Sequence, residues 1–491
     1  MTVSSTLSAR HVAPQEASGT DAGIPLVVDV DGTLIKSDLL FESALQMAAR
    51  RPFQLWRIAL WLAKGKAALK TSLADFGDPS IGNVPLREEI VELIRLAQRQ
   101  GRPVYLASAS DRRLVEQLAH RLGGISGVFA TDGPVNLAGI AKAECLTAHF
   151  GRGKFDYVGD ANVDFPVWQC ARRVLALTHG ASFEQRLLRA FPDADIVARP
   201  RPQVHDYVRA LRPHQWAKNA LIFLPLIAGH FLAPGHLIAA VIAFVSFSMA
   251  ASSAYLINDL LDLPGDREHP RKRERPIAAG NVSAKHAVAL AALLALCALS
   301  AAFLLPVEFV VVLSVYWIAT LGYSVVLKRK IVVDVVMLGS LYTLRVLAGV
   351  AAIGTTTSEW LLMFCLFLFL ALAIVKRCSE LIARQRAGLG APAGRGYRFE
   401  DLRALFAFGA AAGYGAVLVV TLYLASPDVR ALYDHPDRLW LICPVLLYWV
   451  TRMFMLSNRG DLHDDPLVFA LTDRISWASG ACIVAVLAAA V

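Results

Sequence analysis

Asp29 and Asp31 stand one residue apart and are followed by Gly32-Thr33. Side chains alternate in direction along a strand, but a tight turn through Gly32 at a strand end lets both carboxylates enter one crevice. One acid can then attack phosphorus while the other protonates the leaving oxygen. Ser108 ends a second apolar run, where its hydroxyl can bond a phosphoryl oxygen, and Lys142 can neutralise the phosphate and the nucleophile. Asp160, in Gly159-Asp160-x-x-x-Asp164, faces Asp29 and completes an oxygen-rich Mg²⁺ site to which Asp29 and Asp31 also belong.

A second set of acids lies far along the chain. Asn258-Asp259-x-x-Asp262-x-x-x-Asp266 places its groups one helical turn apart on a common face at the end of a long apolar run. Clustered carboxylates at a membrane boundary repel one another, so they ask for a counter-charge. Mg²⁺ clamping a diphosphate provides it, with Asp259, Asp262 and Asp266 as ligands and Asp259 and Asp262 at the reacting centre. The basic stretch that follows offers Lys272, Arg273 and Arg275 to further phosphates.

Two kinds of scaffold must carry these sets. IPLVVDV (24–30), PVYLASAS (103–110), FDYVGD (155–160) and RVLALTHG (173–180) are apolar runs that alternate with helical stretches. That order predicts a parallel α/β sheet, Rossmann-like, over 24–204. A helical segment at about 40–75 contains RRPFQLWRIALWLAKGKAALK (50–70), which has six basic residues and no acid. It reads as a cap over the sheet edge, a helix on the membrane surface, or both. Residues 1–23 lack the apolar core of a signal peptide and read as a disordered tail.

From 205 to 491 the chain reads as an all-α polytopic domain. Nine spans are expected, at 216–233, 236–258, 285–304, 307–325, 332–353, 359–378, 402–424, 439–456 and 472–491. The loops after the even-numbered spans (DREHPRKRERP, LKRK, KRCSELIARQRAGLGAPAGRGYR, SNRG) are the basic ones, which puts them and the α/β domain in the cytoplasm. Positive-inside topology of an integral inner (plasma) membrane protein thus accounts for the net charge of +9 without nucleic acid. With 56% hydrophobic and 18% charged residues, a wholly soluble or coiled-coil chain is excluded. The seven cysteines show no zinc spacing.

The ordered set DxDGT, strand-terminal Ser, Lys and GDxxxD resembles the haloacid dehalogenase (HAD) superfamily of phosphatases. The resemblance implies Asp29 as nucleophile, Asp31 as acid/base, Ser108 and Lys142 as phosphate binders and Asp160 as a Mg²⁺ ligand, with Asp164 supporting the metal site. NDxxDxxxD after the second span resembles the UbiA superfamily of intramembrane transferases. At its second motif Tyr323, Lys328 and Asp334 match, but Leu338 stands where a further Asp is usual. LRPHQWAKN, LYTLRVLAG, KRCSEL, GRGY and HDDP are similar to decaprenyl-phosphate 5-phosphoribosyltransferases. That likeness implies transfer of ribose 5-phosphate from phosphoribosyl diphosphate to a polyprenyl phosphate. It makes Asn258, Lys272, Arg273, Arg275, Tyr323, Lys328, Asp334, Arg345, Lys376 and Arg377 candidates for substrate binding. The HAD-like domain would then remove the 5-phosphate. Two readings stay beside this one: prenyl transfer from a prenyl diphosphate to an aromatic or other acceptor, and a transporter or scaffold with a regulatory HAD-like domain. Homo-oligomerisation is left open.

Overall fold

The computed structural model describes residues 23–490 apart from 78–82, 133–135, 179, 198–202, 230, 270, 357, 391–394, 427–428, 430–432 and 463–464. The tail expected over 1–23 therefore lies, save for Gly23, outside the described residues.

The chain divides into two compact units, the first formed by Met1–Ala210 with Asp259–Ala289 and the second by Leu211–Asn258 with Leu290–Val491. In the first, six parallel strands run β1 (Leu26–Asp29), β2 (Val104–Asp111), β3 (Gly127–Thr131), β4 (Asp156–Gly159), β5 (Arg173–Leu177) and β6 (Asp195–Val197). Their order across the sheet is β3-β2-β1-β4-β5-β6. The unbroken apolar run of β1 follows from burial on both faces. Leu26 and Val28 join Ile90, Ile94, Leu114 and Leu118 on one side, while Val27 joins Leu146, Trp168 and Leu187 on the other. Chain order reverses direction at β1, which has β2 on one side and β4 on the other, and such a switch point opens a crevice at the carboxyl ends. At the opposite end of β4, Asp156 is 1% exposed and ion-paired to Arg102 and Arg172 at 2.5 and 2.7 Å.

The cap expected at about 40–75 is helical. Helix Leu39–Arg50 packs through Met47 on Leu69 and Leu73 of helix Lys66–Gly77, with Ile58 and Trp61 against them. Phe53, Trp56, Leu60 and Leu62 are left exposed.

Residues 259–284, read from sequence as the loop between two spans, pack with the α/β fold together with the first turn of the span that follows. Arg267 makes a two-pronged pair with Glu42 at 2.8 and 3.0 Å, both side chains buried. Lys285 reaches Asp38 at 2.9 Å, and Tyr207 meets His286 at 3.0 Å.

In the second unit, and where it runs into the first, seven helices among the described residues are long and apolar enough to cross a membrane: Pro234–Leu261, Ala284–Ala302, Val307–Val325, Val333–Ile353, Glu359–Arg386, Phe399–Leu424 and Pro436–Arg459. They correspond to seven of the nine expected spans. The other two take different forms. At the first, Pro213–Phe223 is a run of 3₁₀ turns followed by the short helix Leu224–Ala228. Its polar Lys218 and Asn219 are buried against partners and Pro225 interrupts the backbone bonding. At the last, Pro466–Thr472 and Arg474–Ala490 meet at 77°. Asp473 sits at the break, where its carboxylate accepts from the Ser476 amide at 2.8 Å and is held by Arg452 at 2.7 Å. It therefore caps a new helix rather than continuing the old one. Gly349 marks the tightest helix contact: a Cβ there would lie 2.1 Å from the carbonyl oxygen of Ile222.

Candidate functional sites

The carboxyl edge of the sheet gathers the first set of residues. Asp29 ends β1, and its two oxygens are bonded separately, Oδ1 by Lys142 Nζ at 2.6 Å and Oδ2 by Thr33 Oγ1 at 3.1 Å. Asp31 lies just past the end of β1: the Leu39 amide donates to its Oδ1 at 2.8 Å, and the hydroxyls of Ser108 and Ser110 donate to its Oδ2 at 2.7 and 2.8 Å. The turn itself needs Gly32, whose φ is +80° and whose added Cβ would stand 2.6 Å from Asp160 Oδ2. Gly32→Ala is therefore expected to push Asp160 off the site and lower any phosphate-monoester hydrolysis there by tenfold or more, on the order expected for a small misplacement of a catalytic group. Circular dichroism of the variant should stay native; an unchanged rate would mean that Asp160 is not needed where it stands.

Sequence reasoning missed two participants. Tyr157, inside β4, accepts from Lys142 at 3.0 Å and donates to Asp164 Oδ1 at 2.8 Å. It sat within an apolar run and carried no motif. Lys70, from the cap, donates to the Ala109 carbonyl at 2.6 Å and to Asn136 at 2.7 Å, beside the end of β2. Its presence in a basic, apolar stretch was the only signal.

Burial dominates the electrostatics. It pushes the Asp29 carboxyl well up, Asp164 and Asp160 add to that push, and Lys142 opposes it. Burial also raises Asp31 and Asp164. For Lys142, burial works to lower the ammonium, but Asp29 and Asp164 outweigh it and raise it. Oxygens of Asp29, Asp160 and Asp164 come within 4.8 Å of one another, all buried. A hard divalent cation fits such an all-oxygen donor set and would lower the repulsion within it. Asp164 rather than Asp31 belongs to this cluster; the Asp31 carboxylate accepts from the hydroxyls of Ser108 and Ser110 and from the Leu39 amide.

The second set ends helix Pro234–Leu261 and continues into the turn after it. Asp259 and Asp266 are each 3% exposed, and Arg275 Nη1 lies between them, 3.2 Å from Asp259 Oδ1 and 2.5 Å from Asp266 Oδ2. Lys272 Nζ is 4.0 Å from Asp266, Asp262 precedes the short helix Leu263–Glu268, and the Arg273 side chain is exposed. Burial raises the Asp266 carboxyl against the pull of Arg275. Among the described residues the group of three acids close enough together to share an ion is Asp29, Asp160 and Asp164; Asp259 and Asp266 share Arg275 instead.

The remaining candidates lie in the second unit and fall into three groups. Lys328 Nζ is 3.5 Å from Asn258 Oδ1. Asp334, fully buried, accepts from Tyr323 at 2.7 Å and from Arg377 Nε at 2.5 Å; Arg377 also pairs with Glu380, as does Arg395 at 3.4 Å. Tyr323, Asp334 and Arg377 therefore form one ion-paired network, which the sequence could not separate from open phosphate ligands. Lastly, Lys376 Nζ binds Asp465 Oδ2 at 2.6 Å beside Arg345, whose guanidinium bonds Asn219, the Leu341 carbonyl and Tyr316. Of the HDDP motif, Asp465 and Pro466 alone are described.

Residues 220–472 match the profile of the UbiA prenyltransferase family. The uncharacterized protein y4nM of Sinorhizobium fredii is 37% identical over 94% of this chain and 90% of its own length. Nodulation protein NoeC of Azorhizobium caulinodans is 34% identical over 55% of the chain and 88% of its own. The decaprenyl-phosphate phosphoribosyltransferase of Mycolicibacterium smegmatis is 33% identical over 56% of the chain and 89% of its own.

Proposed function

Since this chain belongs to the UbiA prenyltransferase family, we propose that its membrane domain moves ribose 5-phosphate from phosphoribosyl diphosphate to a polyprenyl phosphate, and that its α/β domain is a HAD-like phosphatase acting on the product. The observation that carries the transfer reading is the placement of Arg275 between Asp259 and Asp266, two buried carboxylates disposed around one positive charge. A Mg²⁺ ion held by Asp259, Asp262 and Asp266 would neutralise the diphosphate as it leaves. Lys272, Arg273, Arg275 and Lys328 supply further positive charge to phosphate oxygens. Breaking the C1–O bond leaves oxocarbenium character on the ribose, and an oxygen of the lipid phosphate closes on that carbon. The protein needs no nucleophile here; its residues position the two phosphorylated substrates and balance their charge. Prenyl transfer to an aromatic acceptor is less well served, because Leu338 stands at the second acidic position.

In the α/β domain Asp29 attacks phosphorus and Asp31, whose carboxyl burial keeps protonated more readily, gives its proton to the leaving sugar oxygen. Water then hydrolyses the aspartyl phosphate. Ser108 and Lys142 hold the phosphoryl oxygens, and Asp29, Asp160 and Asp164 would hold Mg²⁺. The basic loops put both sites at the cytoplasmic face. Exposed Phe53, Trp56 and Leu60, interleaved with Arg57 and Lys64, fit a cap resting on an anionic bilayer surface.

The test is mass spectrometry of lipids made from labelled phosphoribosyl diphosphate and a polyprenyl phosphate. Wild-type protein should give a pentose-bearing lipid, and Asp259→Ala should lower its formation about a hundredfold. Use of prenyl diphosphate and an aromatic acid instead, with phosphoribosyl diphosphate untouched, would refute the reading.

A further inference from the structure

Lys218, Lys376 and Arg345 are separated widely in sequence yet converge around Tyr342 and Asp465. Lys218 Nζ and Lys376 Nζ both bind Asp465 Oδ2, at 2.7 and 2.6 Å, and the Tyr342 hydroxyl donates to the same carboxylate at 3.1 Å. Lys218 Nζ and Arg345 Cζ approach the Tyr342 ring to within 5.8 and 5.4 Å of its centroid. Arg345 is 4% exposed, and its hydrogen bonds go to neutral groups: the Asn219 side-chain oxygen, the Leu341 carbonyl and the Tyr316 hydroxyl. Among the described residues, three cations therefore share one carboxylate. Asp334 and Glu380, on the helices that carry Arg345 and Lys376, are engaged elsewhere, with Arg377 and Arg395.

An excess of two positive charges in an apolar helix bundle is costly unless a dianion completes it. A phosphate monoester carries about −1.5 to −2 near neutral pH, and its oxygens accept from ammonium and guanidinium groups. The cleft beside Lys376 and Asp465 holds about 10 Å³, room for a single water, so a phosphate enters only as Asp465 swings out; Leu338, Phe369, Leu372 and Leu467 give it an apolar wall. Lys376 keeps 33% of its side chain exposed and marks the side of approach.

We propose that Lys218, Lys376 and Arg345 form a binding site for a phosphate monoester, which displaces Asp465 as the counter-ion of the two lysines. The site rests on the transfer reading above and deepens it. Its ligand has two possible sources: the lipid acceptor's phosphate, or the 5-phosphate of the sugar donor. Asp465, at the N-terminus of helix Pro466–Thr472, holds the lysines in register while the site is empty and gives them up when the stronger anion arrives.

The test measures binding to the full chain in detergent by titration calorimetry, with farnesyl phosphate and ribose 5-phosphate as separate probes and farnesol as the uncharged control. Lys376→Met should weaken the true ligand at least tenfold, whereas Asp465→Asn, nearly isosteric and lacking the competing charge, should tighten it severalfold. Opposite signs are the diagnostic, since damage to packing would weaken both. An effect confined to farnesyl phosphate assigns the lipid, and one confined to ribose 5-phosphate assigns the sugar. Should Lys376→Met not fold, the tightening by Asp465→Asn decides alone. No binding of either probe by wild-type protein, or the same direction of change in both variants, overturns the site. Pentose transfer in the donor assay would still stand in that case.

Discussion

On the proposed function, Asp29→Asn protein given phosphoribosyl diphosphate and a polyprenyl phosphate is expected to accumulate a lipid that still carries its 5-phosphate, while phosphate release falls by about a thousandfold or more. The size follows from removing a nucleophile, which takes away the covalent route and leaves only binding and positioning. The substitution is mild for the fold. The amide oxygen can still accept from Lys142, as Oδ1 of Asp29 does at 2.6 Å, and Thr33 can turn its hydroxyl to suit the amide nitrogen at its present 3.1 Å. What changes is the charge: Lys142 loses its closest anion and keeps Asp164, whose Oδ1 is 3.8 Å away. Mass spectrometry of the lipid products resolves the two species by the mass of one phosphate. Continued dephosphorylation at the wild-type rate would exclude Asp29 as the nucleophile and separate the α/β domain from the lipid product.

Asp334→Ala is expected to cost about 3–5 kcal/mol of stability, because it strands the Arg377 guanidinium among apolar helices. Asp334 is fully buried and Arg377 is 1% exposed; two nitrogens of the arginine reach the carboxylate, at 2.5 and 3.1 Å. Glu380 stays as a partner but must also serve Arg395, 3.4 Å from its other oxygen. A buried pair attracts strongly only to the extent that it offsets its own desolvation, so deleting both charges is far milder than deleting one. Asp334→Leu combined with Arg377→Met should therefore recover most of the loss in thermal unfolding of the detergent-solubilised protein. Equal melting of the single and double variants would show that the charges do not depend on each other. The comparison also separates a structural pair from a substrate contact, since the double variant would regain stability without regaining transfer.

Residues close in sequence were the ones whose roles could be read early. Asp29 and Asp31 lie at a strand end just before a turn that only glycine makes easily, so their meeting there follows from local geometry. The runs that became β1, β2, β4 and β5 were legible because strands buried on both faces must be apolar throughout. Long apolar stretches identified seven helices for the same reason: in hydrocarbon the backbone can satisfy itself only within a helix.

Long-range electrostatics were not legible. Asp465 meets Lys218 and Lys376 across 247 and 89 residues, and Asp156 meets Arg102 across 54. No periodicity encodes such a partner, because which charges pair is settled by how the helices and strands pack. The same holds for Arg267 and Glu42, 225 residues apart, which help fix Asp259–Ala289 within the α/β unit. The polar groups of 213–228 likewise interrupted an apolar run that hydropathy alone counted as a whole span. Composition and local spacing thus determined the two kinds of domain and the acids that could do chemistry. Tertiary packing decided which charges neutralise one another, since a charge in a low-dielectric interior takes its meaning from neighbours that the chain brings from elsewhere.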